Sequence, residues 1–225
     1  SILDLAEKYS NDGADELVFY DISASTKEST VNREWVSKIA EVINIPFCVA
    51  GGIKTLEDAK EILNLGADKI SINTPALVNP KLIKELSDEF GSQCVVIGMD
   101  VKIINNEAYL FAKTGNEKTA YSTNILASNW LVKVQELGAG EVVINAMGQD
   151  GIQQGYDIDL LQTLEKFCSI PMIASGGAGG PQDFIDVFKK TNVDGALAAS
   201  IFHRNKYSIG EIKEVLKSNK INIRI

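Results

Sequence analysis

The stretch Ile45-Pro-Phe-Cys-Val-Ala-Gly-Gly-Ile53 recurs, 125 residues on, as Ile170-Pro-Met-Ile-Ala-Ser-Gly-Gly-Ala178. Each copy is a proline, a short β-prone run and a glycine pair, the pattern of a strand that ends in a tight turn. The correspondence spreads in both directions at the same spacing. Upstream, Glu16 and Glu141 each precede an apolar run. Downstream, Ala67-Asp-Lys-Ile-Ser-Ile-Asn73 falls in register with Val193-Asp-Gly-Ala-Leu-Ala-Ala199 after one inserted residue. Common α/β fragments can coincide by chance, but two half-barrels of four strand–helix units each explain so long a register more simply. The expected fold is an α/β (β/α)8 TIM barrel built of two half-barrel repeats.

Along the chain, short β-rich runs alternate with amphipathic helical segments. Strands are predicted at 16–20, 46–50, 69–72, 95–101, 141–145, 171–174 and 195–198. Helices are predicted at 3–9, 33–42, 130–137, 159–167 and 182–189, with another carrying Leu56, Ala59, Ile62 and Leu63 at helical spacing. Thr55 and Asp58 have the spacing of a capping box, and Asn79-Pro80 reads as a cap followed by proline at a first helical position. Asn105-Asn106 reads as a hairpin turn into 108–112. Repeated strand–helix units with short loops mean a parallel sheet. Seven barrel strands are visible where eight are expected. The first-half counterpart of strand 95–101 would fall before Ser1, so the first β-strand is expected to be absent from a truncated or renumbered chain. No Pro/Gly/Ser-rich linker separates the halves, and residues 1–225 are expected to form a single (β/α) barrel domain.

Composition narrows the function classes. The 225 residues are 45% hydrophobic and 23% charged, ordinary globular usage that excludes disorder and collagen-like repeats. A net charge of −8 disfavours nucleic acid and anionic membrane surfaces as partners. No apolar run approaches the roughly 18 residues that span a bilayer, and no signal-like segment opens the chain. Cys48, Cys94 and Cys168 are odd in number and lack ligand-like spacing, which reads as small buried hydrophobes in a reducing cytoplasm. His203 is the one histidine, and no Cys/His cluster exists, so neither metal nor cofactor is expected.

Barrel active sites sit at the carboxyl ends of the strands. Those ends are Asp21, Gly51-Gly52, Asn73-Thr74, Asp100, Asn145 with the Asp150-Gly151 loop, Ser175-Gly176-Gly177, and Ala199-Ser200. Paired glycines let backbone N–H groups approach an anion, and a following helix start adds its dipole. Gly176-Gly177 with Ala199-Ser200 occupies the usual phosphate position of such barrels. Its repeat mate, Gly51-Gly52 with Asn73-Thr74, supplies a second cradle, so a substrate with a phosphate at each end is expected. A glycine pair alone is usually only a turn; the duplication in register is what raises it above that. Asp100 ends an otherwise apolar strand and is read as a general acid or base, the alternative being a loop or cap aspartate. Ser175 and Ser200 have no histidine near them in sequence, and His203 reads as a packing or helix-start residue. Glu16, Lys69 and Glu141 lie at the amino ends of strands, where a salt-bridged plug of the barrel floor is the plainest reading.

These residues resemble a known family. The runs Asp15-Glu-Leu-Val-Phe-Tyr-Asp-Ile-Ser-Ala-Ser25, Phe47-Cys-Val-Ala-Gly-Gly-Ile53, Gly66-Ala-Asp-Lys-Ile-Ser-Ile-Asn73 and Gly138-Ala-Gly-Glu141 are similar to those of the cyclase subunit of imidazole glycerol phosphate synthase, in histidine biosynthesis. Gly148-Gln-Asp-Gly151, Ile173-Ala-Ser-Gly-Gly-Ala-Gly179 and Ala196-Leu-Ala-Ala-Ser-Ile-Phe-His203 complete a likeness that covers essentially the whole chain. The resemblance implies a cytoplasmic enzyme that condenses ammonia with a bisphosphorylated ribulosyl aminoimidazole-carboxamide nucleotide. The products are imidazole glycerol phosphate and aminoimidazole carboxamide ribotide. Ammonia would come through the barrel from a glutaminase subunit docked at its floor, in a heterodimer.

By the same resemblance Asp100 is one of two catalytic aspartates. Asp21, Gly52, Asn73, Thr74, Asn145, Asp150, Gly151, Gly176, Gly177, Ala199 and Ser200 fall at substrate and phosphate positions. Glu16, Lys69 and Glu141 fall at an ammonia gate, and Asp68 at a partner contact. The other aspartate and a substrate-contacting lysine belong to the absent first strand and its loop, so a chain truly starting at Ser1 is expected to have little cyclase activity. Position 148 is glycine here, and no role is carried over to it. Competing readings are the sister isomerase of the pathway, a non-catalytic barrel binding phosphate or the glutaminase, and a cyclase-like subunit of surface-polysaccharide amidation.

Overall fold

The computed structural model describes residues 1–21, 32–116, 118–149 and 151–224. Its contacts divide the chain into two compact units, Ser1–Ile97 with Ala112–Tyr121 and Glu136–Gly140, and Gly98–Phe111 with Ser122–Gln135 and Glu141–Ile225.

The first unit runs α1 (Ile2–Asn11), β1 (Leu17–Tyr20), α2 (Arg33–Val42), β2 (Phe47–Ala50), α3 (Leu56–Asn64), β3 (Lys69–Ile72), α4 (Thr74–Val78) and α5 (Lys81–Phe90), then enters β4 (Val95–Ile104). Its strands are parallel, with Leu17 opposite Phe47, Cys48 opposite Lys69 and Ile70 opposite Val95. All four residues of β2 are buried, as expected of a parallel strand covered on both faces. Helical stripes cover it: Val36 and Ile39 of α2, Ala59 and Ile62 of α3, and Leu82, Ile83 and Leu86 of α5 are all buried. The expected capping box of α3 is present, with Asp58 N–H donating to Thr55 Oγ1 at 3.1 Å and Thr55 N–H donating to Asp58 Oδ2 at 3.1 Å. At α5 the cap is Pro80, one residue later than expected, and Asn79 contributes its carbonyl to Leu82 N–H instead.

The second unit takes the rest of β4 and adds β5 (Glu107–Ala112), β6 (Tyr121–Leu126), α6 (Ala127–Glu136), β7 (Glu141–Ala146), α7 (Ile158–Leu164), β8 (Met172–Ser175), α8 (Pro181–Lys190), β9 (Gly195–Leu197), α9 (Ser200–His203) and α10 (Ile209–Ser218). The hairpin forms where predicted: β4 and β5 are antiparallel, and Asn105 and Asn106 take φ of 51° and 65°, the two left-handed positions of a type I′ turn. β7, β8 and β9 are parallel, with Asn145 opposite Ser175 and Ser175 opposite Leu197. The alternation of parallel strands and helices is that of the α/β (β/α)8 barrel fold. No helix among the described residues is long and apolar enough to cross a membrane.

The duplication extends to hydrogen bonds. Phe47 N–H donates to Asp68 Oδ2 at 2.8 Å while Asp68 N–H donates to Phe47 O at 2.8 Å. In the other unit Met172 N–H donates to Asp194 Oδ2 at 2.9 Å while Asp194 N–H donates to Met172 O at 2.8 Å. Each aspartate thus ties the amino end of one strand to the next.

Candidate active site

In the first unit, Asp21 follows β1 and its N–H donates to Ala50 O at 2.9 Å. Gly51, at φ 109°, crosses so close to this residue that a Cβ on it would stand 2.5 Å from Asp21 O. Only glycine fits, because the conformation and the space both exclude a side chain. Gly52 follows at φ 68°. Asn73 caps α4 without a side-chain cap bond, and Thr74 opens it. Lys113 N–H donates to Thr74 Oγ1 at 2.9 Å, so the chain after β5 fixes this hydroxyl from behind. Ion-paired at the amino end of β3 are Lys69 Nζ and Glu16 Oε2, 2.6 Å apart and both largely buried. Asp68 beside them has its carboxylate on the Phe47 amide.

In the second unit, Asp100 is half-buried on β4 between the buried Met99 and Val101. Asn145 Nδ2 donates to Asp100 Oδ1 at 2.7 Å, which orients the carboxylate from the neighbouring strand. Room for that amide comes from Gly176: a Cβ there would lie 3.0 Å from both Asn145 Oδ1 and Ala146 O. Gly176 against Ala146 repeats Gly51 against Asp21, 125 residues earlier. Gly177, at φ 106°, is pressed onto Gly155, whose N–H donates to Gly177 O at 2.9 Å. Ala199 and Ser200 form the turn into α9. Gly151 is exposed at φ 74°. Glu141 opens β7 and is half-buried. Asp150, and residues 22–25 of the run quoted above, lie outside the described residues.

The structure therefore brings Asp100, Asn145 and Gly176 together, and groups Asp21 with Gly51, Thr74 with Lys113, and Glu16 with Lys69. Two supporting side chains escaped the sequence reading. Asp183 Oδ2 accepts from Gly179 N–H at 2.7 Å and Gly180 N–H at 3.0 Å, holding the glycine loop after β8. Gly180-Pro181 with Asp183 at the third helical position is a helix-start pattern that could have revealed it. Tyr156 is buried, and its hydroxyl donates to Leu197 O at 3.0 Å. Burial, with Asp183 nearby, pushes its phenol well above the usual range.

A family model described as histidine biosynthesis protein matches residues 1–208. The chain is 53% identical over 227 residues to the imidazole glycerol phosphate synthase subunit HisF of Aliivibrio salmonicida (strain LFI1238), which covers 99% of this chain and 88% of that protein. The subunit of the same name from Pseudoalteromonas translucida (strain TAC 125) is 53% identical over 226 residues, covering 100% and 88%. That from Blochmanniella floridana is 54% identical over 228 residues, again covering 100% and 88%.

Proposed function

The chain belongs to the histidine biosynthesis protein family, and from that premise we propose that it is a cyclase subunit of imidazole glycerol phosphate synthase using ammonia to close the imidazole ring. The observation that carries the reading is the 2.7 Å hydrogen bond from Asn145 to Asp100, where β4 passes from its parallel pairing with β3 into the hairpin with β5. Ring closure moves protons as ammonia adds to a carbonyl carbon and the glycosylamine fragment leaves. A carboxylate held in one orientation can take or return them. The substrate is a bisphosphorylated ribulosyl aminoimidazole-carboxamide nucleotide. Gly52, Asn73 and Thr74 form one anion cradle, and Gly151, Gly177, Ala199 and Ser200 form the other, with Asp21, Asn145 and Asp150 as further substrate contacts. Backbone amides suit this task, since a chain of net charge −8 offers no general attraction to a phosphate.

Ammonia comes from a glutaminase subunit. Glu16, Lys69 and Glu141 gate its passage and Asp68 lies on the partner side, in the cytoplasm where a biosynthetic enzyme with free cysteines operates. The test is to supply the intact protein with the bisphosphate and ammonium. Imidazole glycerol phosphate and aminoimidazole carboxamide ribotide are expected in equal amounts. Consumption of neither reactant would overturn the reading.

A further inference from the structure

We propose that Lys206 is a positioning residue that sets the gap between the two halves of the second unit's anion cradle, an inference that rests on the reading of Gly177, Ala199 and Ser200 as phosphate contacts. Lys206 Nζ donates to Gly179 O at 2.6 Å, a charge-assisted bond reaching back from the turn after α9 to the loop after β8. The same peptide segment is gripped from its other side, because Asp183 accepts from Gly179 N–H at 2.7 Å. A cation on the carbonyl and an anion on the amide match the residue's own dipoles, so this segment is held at both ends. Gly179 cannot drift toward the neighbouring loop either: a Cβ on it would already stand 2.3 Å from Gln153 O.

The far end of the link is equally fixed. Lys206 N–H donates to Ile201 O at 2.9 Å, and His203 N–H donates to Ala199 O at 2.9 Å, so the lysine rides on the turn that carries Ala199 and Ser200. One ammonium group therefore joins the segment holding Gly177 to the segment holding Ser200. Lysine suits the role because its compact charge needs a single acceptor and its long stem spans the gap. Tyr207 adds support, packing its ring 3.5 Å from where a Cβ on Gly180 would lie.

Lys206 is an exposed residue, so its replacement should leave the fold intact, which the dispersion of the variant's amide spectrum checks. Inorganic phosphate would be titrated into the intact protein while the amide NMR signals of Gly177, Ser200, Asn73 and Thr74 are followed. Lys206→Met should weaken phosphate binding at Gly177 and Ser200 about tenfold, because the two loops are no longer held at the binding gap in advance and must be ordered at the expense of binding energy. Binding at Asn73 and Thr74 should not change, KM should rise by a similar factor, and kcat should stay within about twofold. Lys206→Arg, which keeps a donor, should recover most of the affinity. Unchanged phosphate affinity in Lys206→Met would overturn the link and leave the cradle standing. Absence of phosphate-dependent shifts at Gly177 and Ser200 in the unsubstituted protein would overturn the cradle, and the link with it.

Discussion

Asp100 shows how much one residue's sequence position reveals. The sequence shows a lone carboxylate after an apolar run and suggests that it ends the strand. Instead, β4 runs on to Ile104 with Asp100 inside it, because the chain continues straight into the hairpin with β5. Its partner is not visible in the sequence, because Asn145 lies 45 residues away and pairing between strands leaves no local pattern. Replacing Asp100 by Asn keeps the shape and removes the carboxylate that we propose carries the proton. In the intact enzyme kcat should fall about 10²–10⁴-fold with KM little changed, the usual contribution of positioned proton transfer. Retention of more than about a third of kcat would make Asp100 structural. Tyr156 gives a second residue-level expectation. Its phenol is held neutral in the fold, whereas in the unfolded chain it ionises near its ordinary value of 10.0. A group whose pKa is raised on folding stabilises fully below the unfolded value and loses that contribution as pH rises past it. At pH 7, Tyr156→Phe should be less stable by about 1 kcal/mol, since Leu197 O loses its donor. Above pH 10 only the tyrosine protein continues to lose stability from this site, so denaturant midpoints of the two should converge. A gap constant from pH 7 to 11 would count against the buried neutral phenol.

At the level of elements, strands and helices with a period or a cap were legible, and those without were not. The hairpin turn at Asn105-Asn106 and the Thr55–Asp58 cap both appear where the residues indicate. β6 gave no warning, because Tyr121–Leu126 shows no alternation of buried and exposed positions and is held as an outer strand by β5. α4 is five residues long, too short to display a helical period. α10 did carry a signal, the Ser208–Glu211 capping box, in a stretch beyond the last strand of the repeat. The glycine pairs were legible as turns, but which glycine is indispensable depends on the chain that crosses it. Gly176→Ala meets both a positive φ of 89° and two oxygens at 3.0 Å, and should cost about 2 kcal/mol together with a measurable loss of activity through Asn145. Gly148→Ala has open space and ordinary backbone, and should change stability by less than about 0.5 kcal/mol. Thermal unfolding of the two variants checks the contrast; equal melting temperatures would refute it.

For the whole molecule, the internal repeat was the strongest clue, and its hydrogen bonds now explain the register: Asp68 and Asp194 perform the same tie on Phe47 and Met172. What the repeat could not disclose is whether the charges at the amino ends of strands merely close the floor or serve a partner. The Glu16–Lys69 pair allows the two roles to be separated. Both side chains are about three-quarters buried, at 26% and 21% exposure, and the bond is 2.6 Å. Loss of a purely structural pair would weaken the protein equally whatever nitrogen source it uses. A gate acts only on ammonia delivered from the glutaminase, because free ammonium reaches the site from solution. Lys69→Met should therefore lower glutamine-dependent turnover in the complex by about tenfold or more while ammonium-dependent turnover stays within about twofold. Any general destabilisation enters both assays and cancels in their ratio. A ratio unchanged from that of the unsubstituted protein would reduce Lys69 to a plug of the barrel floor.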